Sequence, residues 1–224
     1  MAIKLKLAPA TEPVTLSDAK TFLRVSGSTE DGVISPLISA VRQTCEAWTG
    51  RVLVTQTWTL WRDAFPQGPR RHAPDQGVFQ LPVSHFDVTR TRIELPRPPL
   101  QLVTHLKTYD LKDQATVFPA SNYLVDNVSE PGRIVLNAAA VWPTNLRSAN
   151  SVEIEFVAGY GDAADVPSAL KQGMLVWLQQ LYSNKNWLFE PGAAVPGLLA
   201  LNEVPAPVIT LWTPYKIFHG QGLL

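Results

Sequence analysis

Val152-Glu-Ile-Glu-Phe-Val-Ala-Gly-Tyr-Gly-Asp-Ala-Ala-Asp-Val-Pro167 is the stretch in which the chain changes its period. Val152-Glu-Ile-Glu-Phe156 alternates apolar and acidic side chains, which puts one set on each face of a strand. Past Asp165-Val-Pro167, the residues Leu170, Met174, Trp177, Leu178 and Leu181 recur at helical spacing, and Asn184-Lys-Asn186 ends that run. Upstream the signal is β-like: Thr55 to Trp61, Val88 to Leu95, Leu102 to Tyr109, Tyr123 to Val125 and Arg133 to Leu136. Further upstream it is helical again. Thr15-Leu-Ser-Asp18 has the form of a capping box, with Val14 placed to staple against Ala19 and with Leu16, Ala19, Phe22 and Leu23 as an apolar face. Val33, Ile34, Leu37, Ile38, Val41, Cys45 and Trp48 make a second helix that Gly50 stops. Pro36 fits that helix if Ser35 caps it and Pro36 opens its regular part, or if the first turn is loosely formed.

Helices on both sides of a β-rich middle predict an α+β fold in which the terminal helices bundle and the sheet is an insertion. The expected divisions are N-terminal helices over 1–50, a β-rich insertion over 51–160, a helix over 161–190 that completes the bundle, and an extended arm over 191–224. The stretch 66–77 has too little apolar content for a core and reads as a surface loop, and the Pro/Gly-rich segment from Pro191 to Pro207 reads as a tether.

The 224 residues are 46% hydrophobic and 17% charged, enough for a substantial core, and 19 basic side chains balance 19 acidic ones. No overall field therefore draws the chain to nucleic acid or to an anionic membrane. The lysine-broken run over 1–9 is neither a signal peptide nor a membrane span, so synthesis in the cytoplasm is expected. Cys45 lies on the apolar helix face and reads as a small buried hydrophobe.

Gly159-Tyr-Gly-Asp-Ala-Ala164 matches a relaxed dinucleotide fingerprint, but Asp162 and Asp165 would oppose a pyrophosphate and no second parallel strand follows. The simpler reading is a strand-to-helix turn in which Asp165 caps the helix. His72, His85, His105 and His219 have no metal-ligand spacing, although His105 and His85 could meet in space. No nucleophile elbow, phosphate loop or activated cysteine is present, so no catalytic, metal or cofactor residue is assigned and no enzyme is expected. Seven tryptophans admit a carbohydrate-binding β-sandwich, which would need a clustered exposed aromatic platform. Trp58 and Trp61 have opposite strand parity and cannot share a face.

The C-terminal tail is apolar yet punctuated by prolines and glycines. Leu211, Trp212, Pro214, Tyr215, Lys216, Ile217, Phe218, Leu223 and Leu224 form a strip that either folds back on its own core or docks on a partner, and the second reading is preferred. Burying Trp212, Tyr215 and Phe218 would contribute roughly 1.5–3 kcal/mol each before ordering costs, which is weak for one arm but effective when repeated around a ring.

A series of phrases in one order resembles the head-tail connector (adaptor, or head-completion) proteins of tailed double-stranded DNA phages and gene transfer agents. They include Val14-Thr-Leu-Ser-Asp-Ala-Lys-Thr-Phe-Leu-Arg24, Glu46-Ala-Trp-Thr-Gly-Arg51, Gln56-Thr-Trp58 with Asp63-Ala-Phe-Pro66, Leu95-Pro-Arg-Pro-Pro-Leu100 and Tyr123-Leu-Val-Asp126. Pro131-Gly-Arg-Ile134, Trp142-Pro143, Phe156-Val-Ala-Gly-Tyr-Gly161, Val166-Pro167, Leu181-Tyr182 and Pro214-Tyr-Lys216 continue the series. The stretch from Gln67 to Glu94 and the segment from Pro191 to Pro207 are longer than that pattern. The resemblance implies a non-enzymatic protein of the virion neck. It implies a ring of usually twelve copies beneath the portal protein, through which double-stranded DNA passes without sequence recognition. A head-closure or tail-side protein would attach to this ring, and the C-terminal arm would engage the portal. A neighbouring head-closure or tail-completion role is the alternative.

Overall fold

The computed structural model of the chain describes residues 1–66, 92–183 and 204–217. All but the first residue of the loop expected over 66–77, residues 88–91 of the expected strand, the expected helix stop at 184–186, most of the tether and residues 218–224 lie outside them. The described chain forms two compact units. One is built from Met1–Ala8 and the described part of 56–159, the other from Pro9–Thr55 and the described residues from Tyr160 onward.

The second unit is helical. Helix α1, Leu16–Leu23, is capped by Thr15, whose Oγ1 accepts the Asp18 N–H at 3.1 Å and donates its own proton to the Asp18 carboxylate at 2.7 Å. Val14 and Ala19 are buried together as the staple requires. Helix α2, Asp31–Thr49, ends at Gly50, whose φ of 74° lets its N–H return to the Glu46 carbonyl at 3.0 Å. Pro36 lies inside α2, not at its opening: the helix begins at Asp31. The proline has no N–H to donate to the carbonyl four residues back, that of Gly32, so α2 runs through this position with one intrahelical bond fewer. Helix α3, Ser168–Ser183, and helix α4, Ala206–Trp212, followed by a 3-10 turn at Thr213–Tyr215, complete the unit.

Its core is the apolar stripe of α2 (Ile34, Ile38, Val41, Cys45) against that of α3 (Leu170, Met174, Trp177, Leu178), with Val208 and Trp212 from α4 and with Leu53 and Val54 from the segment after α2. Burial, with the neighbouring Glu46 carboxylate, pushes the Cys45 thiol well above its ordinary range, so it packs as a hydrophobe. The charged groups Arg42 and Glu46 enter this interior as a pair. Glu46 accepts from the Arg42 guanidinium at 3.0 Å and from the Leu53 N–H at 3.1 Å, while Arg42 Nε donates to Glu12 at 2.7 Å and the Ser39 hydroxyl to the same carboxylate at 2.7 Å.

The first unit holds two antiparallel sheets. The larger has the order β1 (Ala2–Leu7), β2 (Gln56–Arg62), β8 (Val152–Ala158), β4 (Leu100–Tyr109), β5 (Ala115–Val117), and the smaller has the order β3 (Arg92–Glu94), β7 (Arg133–Leu136), β6 (Tyr123–Asp126). Strand β1 corrects the reading of 1–50 as helices alone. Ile3-Lys-Leu-Lys-Leu7 alternates as a strand does, but it is an edge strand with mostly exposed side chains and its partner lies some fifty residues on, from Trp61 opposite Ala2 to Thr57 opposite Leu7. Leu60, Leu106, Ile154 and Phe156 of the large sheet and Ile93 and Ile134 of the small one are fully buried. Phe65, Phe118, Tyr123 and Trp142 form an aromatic cluster in the same unit, with Phe65 stacked on Trp142 at 4.4 Å and Phe118 on Tyr123 at 6.1 Å. The β6–β7 turn is organised by Asp126, whose carboxylate accepts the N–H groups of Val128 and Ser129, the Ser129 hydroxyl and Arg133 Nε. These donors hold its carboxyl far below the usual carboxylate range.

Two close approaches test this packing. A Cβ at Gly173 would stand far closer to Trp212 Nε1 than van der Waals contact allows, and one at Gly132 would sit 2.5 Å from Leu100 Cβ. Gly173→Ala and Gly132→Ala are each expected to destabilise their unit by about 1–3 kcal/mol, read as a lowered denaturation midpoint in urea. Trp212→Ala, which leaves a cavity, should cost about 3–5 kcal/mol in the same assay.

Candidate functional site

The tail that the sequence assigns to a partner is, over 206–217, fastened to its own helical unit. Trp212 is fully buried between Trp48 and Trp177, with ring centroids 6.1 Å and 5.7 Å away, and its indole N–H donates to the Leu170 carbonyl at 3.2 Å. Gly173, one turn along α3 from Leu170, has no side chain to occupy the space of the indole. Val208, one helical turn earlier on α4, is fully buried as well.

Beyond Trp212 the backbone is held at two more points. Arg51 Nε donates to the Tyr215 carbonyl at 2.6 Å, and the Ile217 N–H donates to the Thr49 carbonyl at 2.8 Å, so the segment is tied to the C-terminal end of α2. The Lys216 ammonium stands 4.5 Å above the Trp48 ring. Leu211 and Tyr215 pack against the core, Pro214 is exposed, and Ile217 is half-buried. Phe218, Leu223 and Leu224 lie outside the described residues.

An extended arm is therefore not what 206–217 forms. Its prolines start structure here instead of breaking it. Pro205 precedes α4, Pro207 occupies the first turn, where its missing N–H has no intrahelical acceptor to lose, and Pro214 stands at the start of the 3-10 turn.

A second cluster lies on one face of the large sheet, and sequence reasoning missed it. Glu153 and Glu155 are two apart on β8 and share a face. A β-bulge between Val103 and His105 on β4 brings His105 directly opposite Glu155. His105 Nε2 lies 3.3 Å from Glu153 Oε1 and 3.8 Å from Glu155 Oε2, and the three donor atoms fall within 4.8 Å of one another. Lys6 from β1 makes an ion pair with Glu155, and the Tyr109 hydroxyl donates to Glu153.

Burial acts to raise the Glu153 pKa, but the hydrogen bonds from Tyr109 and His105 and the charge of Lys107 outweigh it and hold the carboxyl below its ordinary value. The bond to Glu153, with burial and the carboxylate charge, raises the Tyr109 phenol. Tyr109 is flanked by Trp61 at 5.7 Å and by the Arg147 guanidinium at 4.1 Å. The alternation Val152-Glu-Ile-Glu-Phe156 carried the signal for the two carboxylates, but the bulge that aims His105 at them leaves no mark in the sequence.

The remaining candidates resolve into structure. Gly159 and Gly161 have φ of 126° and 132°, so glycine is required in this turn. Asp165 caps the turn, not α3: its carboxylate accepts the Asp162 N–H at 2.9 Å. Strand β8 is antiparallel to both neighbours, so no parallel β-α-β unit surrounds these glycines. Trp58 and Trp61 do face opposite sides of β2, opposite Phe156 and Glu153 respectively, with Arg97 5.0 Å from the Trp58 ring. Trp48, Trp177 and Trp212 belong to the helical core and Trp142 to the aromatic cluster, so the tryptophans form no exposed platform among the described residues. His72, His85 and His219 lie outside them. No described helix is long and apolar enough to cross a membrane.

No family model and no curated protein matches the sequence. Solved structures do match in fold. A chain in the neck of an empty GTA particle computed with C6 symmetry is similar at a TM-score of 0.71 and 20% identity, over 99% of this chain and 98% of that one. A chain in the virion of a native gene transfer agent particle is similar at a TM-score of 0.69 and 20% identity over the same shares. A chain in the neck of a native GTA particle computed with C12 symmetry is similar at 0.69 and 19% identity, again over 99% and 98%. The α+β fold of this chain, end to end, is thus similar to that of chains in these particles.

Proposed function

We propose that this protein is a structural head-tail connector in the neck of a phage-like particle. It forms a ring of twelve copies beneath the portal protein, extends the channel for double-stranded DNA and gives a head-closure or tail-side protein its platform. The observation that carries this reading is the correspondence in fold over 99% of this chain and 98% of a neck chain. The C6 and C12 symmetries of the similar neck structures suit a ring, and the ordered series of sequence phrases points the same way. Balanced charge suits a conduit, because a wall that neutralised many phosphates would retain DNA by counterion release.

The fastened tail refines the mechanism. With Trp212 consumed by its own core, the portal contact falls to Phe218, Leu223 and Leu224 beyond the anchor, and to the accessible parts of Leu211, Pro214, Tyr215, Lys216 and Ile217. Tying the root through Arg51 and Thr49 lowers the ordering cost of whatever follows it. Each arm contributes a few kcal/mol at most, and repetition around the ring supplies the rest through high effective concentration.

The test is co-sedimentation with portal-bearing capsids of the full chain and of a version ending at Ile217, which keeps every described contact of the anchor. The full chain should pellet with capsids, and the shortened one should lose at least ~10-fold in retention while unfolding at the same temperature. Equal retention would move the portal contact onto the folded units, and no retention of either would overturn the connector reading.

A further inference from the structure

We propose that His105, Glu153 and Glu155 form a binding site for a divalent transition metal of the zinc type, on the face of the large sheet. The donor set is one imidazole nitrogen and two carboxylate oxygens on adjacent, hydrogen-bonded strands. Sheet strands hold ligands more rigidly than loops do, and the bulge at Val103–His105 places the ring where a regular strand would put residue 104.

Glu153 has hydrogen bonds from His105 and Tyr109 and Glu155 an ion pair with Lys6, yet the imidazole nitrogen stands between the two carboxylates. A proton on Nε2 serves one carboxylate only, and 3.3 Å is long for such a bond while 3.8 Å is outside it. Ligand atoms around a tetrahedral zinc, about 2.0–2.1 Å from the metal, lie about 3.3 Å apart. The His105–Glu153 pair already has that separation. Glu155, 3.8 Å from the same nitrogen, has to move toward both other ligands, and all three donor atoms start within 4.8 Å of one another. The imidazole selects against magnesium and calcium, which take oxygen donors. The Tyr109 hydroxyl on Glu153 supplies the outer hydrogen bond that orients a ligating carboxylate.

Lys6 is the competitor. Its ammonium now neutralises Glu155, but its side chain is 55% exposed and comes from an edge strand, so it can leave for solvent when a metal arrives. This gives the site an unusual signature: removing Lys6 takes away an ion pair yet should strengthen metal binding.

The experiment is calorimetric titration of the full-length chain with zinc chloride, and with magnesium chloride for comparison, in a background where His72, His85 and His219 are changed to asparagine. One zinc per chain is expected, with no heat from magnesium. His105→Ala should weaken zinc binding by at least about 10-fold, since loss of even an outer hydrogen-bond partner costs about 10–100-fold. Glu153→Gln should weaken it likewise, and it guards against a folding defect because it keeps the shape of the side chain. Lys6→Gln should tighten it several-fold. Absence of zinc binding, unchanged affinity in both His105→Ala and Glu153→Gln, or weaker binding in Lys6→Gln would each overturn the proposal.

Discussion

The helical unit depends on one contact: the Trp212 indole lying where a side chain at position 173 would be. A helix as short as Ala206–Trp212 has little stability of its own, because nucleation costs more than its few hydrogen bonds return. What holds it is the burial of Trp212 and Val208. That burial is possible only because Gly173 leaves the flank of α3 bare and the Leu170 carbonyl accepts the indole proton. The glycine lowers the intrinsic propensity of α3 by about 1 kcal/mol and gains an aromatic neighbour worth more.

A polar constraint complements this apolar one. Glu46 and Arg42 are both buried, and an unpaired charge at either position would be costly. The Glu46 carboxylate escapes that cost by gripping the Leu53 amide as well as Arg42, and so fixes the path of the chain as it leaves α2. Thr49 and Arg51, in the same short segment, receive the tail. The C-terminal end of α2 is thus a junction that orders two distant parts of the sequence, and changes there would be felt in both.

The elements legible in the sequence were those whose signal is local. Thr15 with Asp18, Gly50 at the end of α2, the face of α3 and the alternation in β8 each carry their cause within a few residues. Strand β1 was not legible, because its lysines and exposed leucines give no face to bury and its identity comes from pairing with β2. Helix α4 was hidden by prolines that break helices in the middle but suit their first turn. The sequence reading preferred a partner as the surface for the aromatic tail, whereas over 206–217 the tail packs on its own helical unit: an apolar strip shows that a surface is needed, not whose surface it is. Of the sheet cluster, the paired glutamates were visible and the histidine was not, since a bulge decides the parity of every residue beyond it.

The path of the backbone between the two units carries a consequence for biosynthesis. It passes from one to the other at 8/9, 55/56 and 159/160, so neither unit is a continuous piece of chain. As the polypeptide leaves the ribosome, strand β1 must wait for β2, and both must wait for β8, the strand between β2 and β4. The early helices α1 and α2 meanwhile lack α3 and the Trp212 plug. Most of the protein is translated before either interior can close, so the nascent chain exposes apolar surface for much of its synthesis and is a natural client for chaperones that shield such surface.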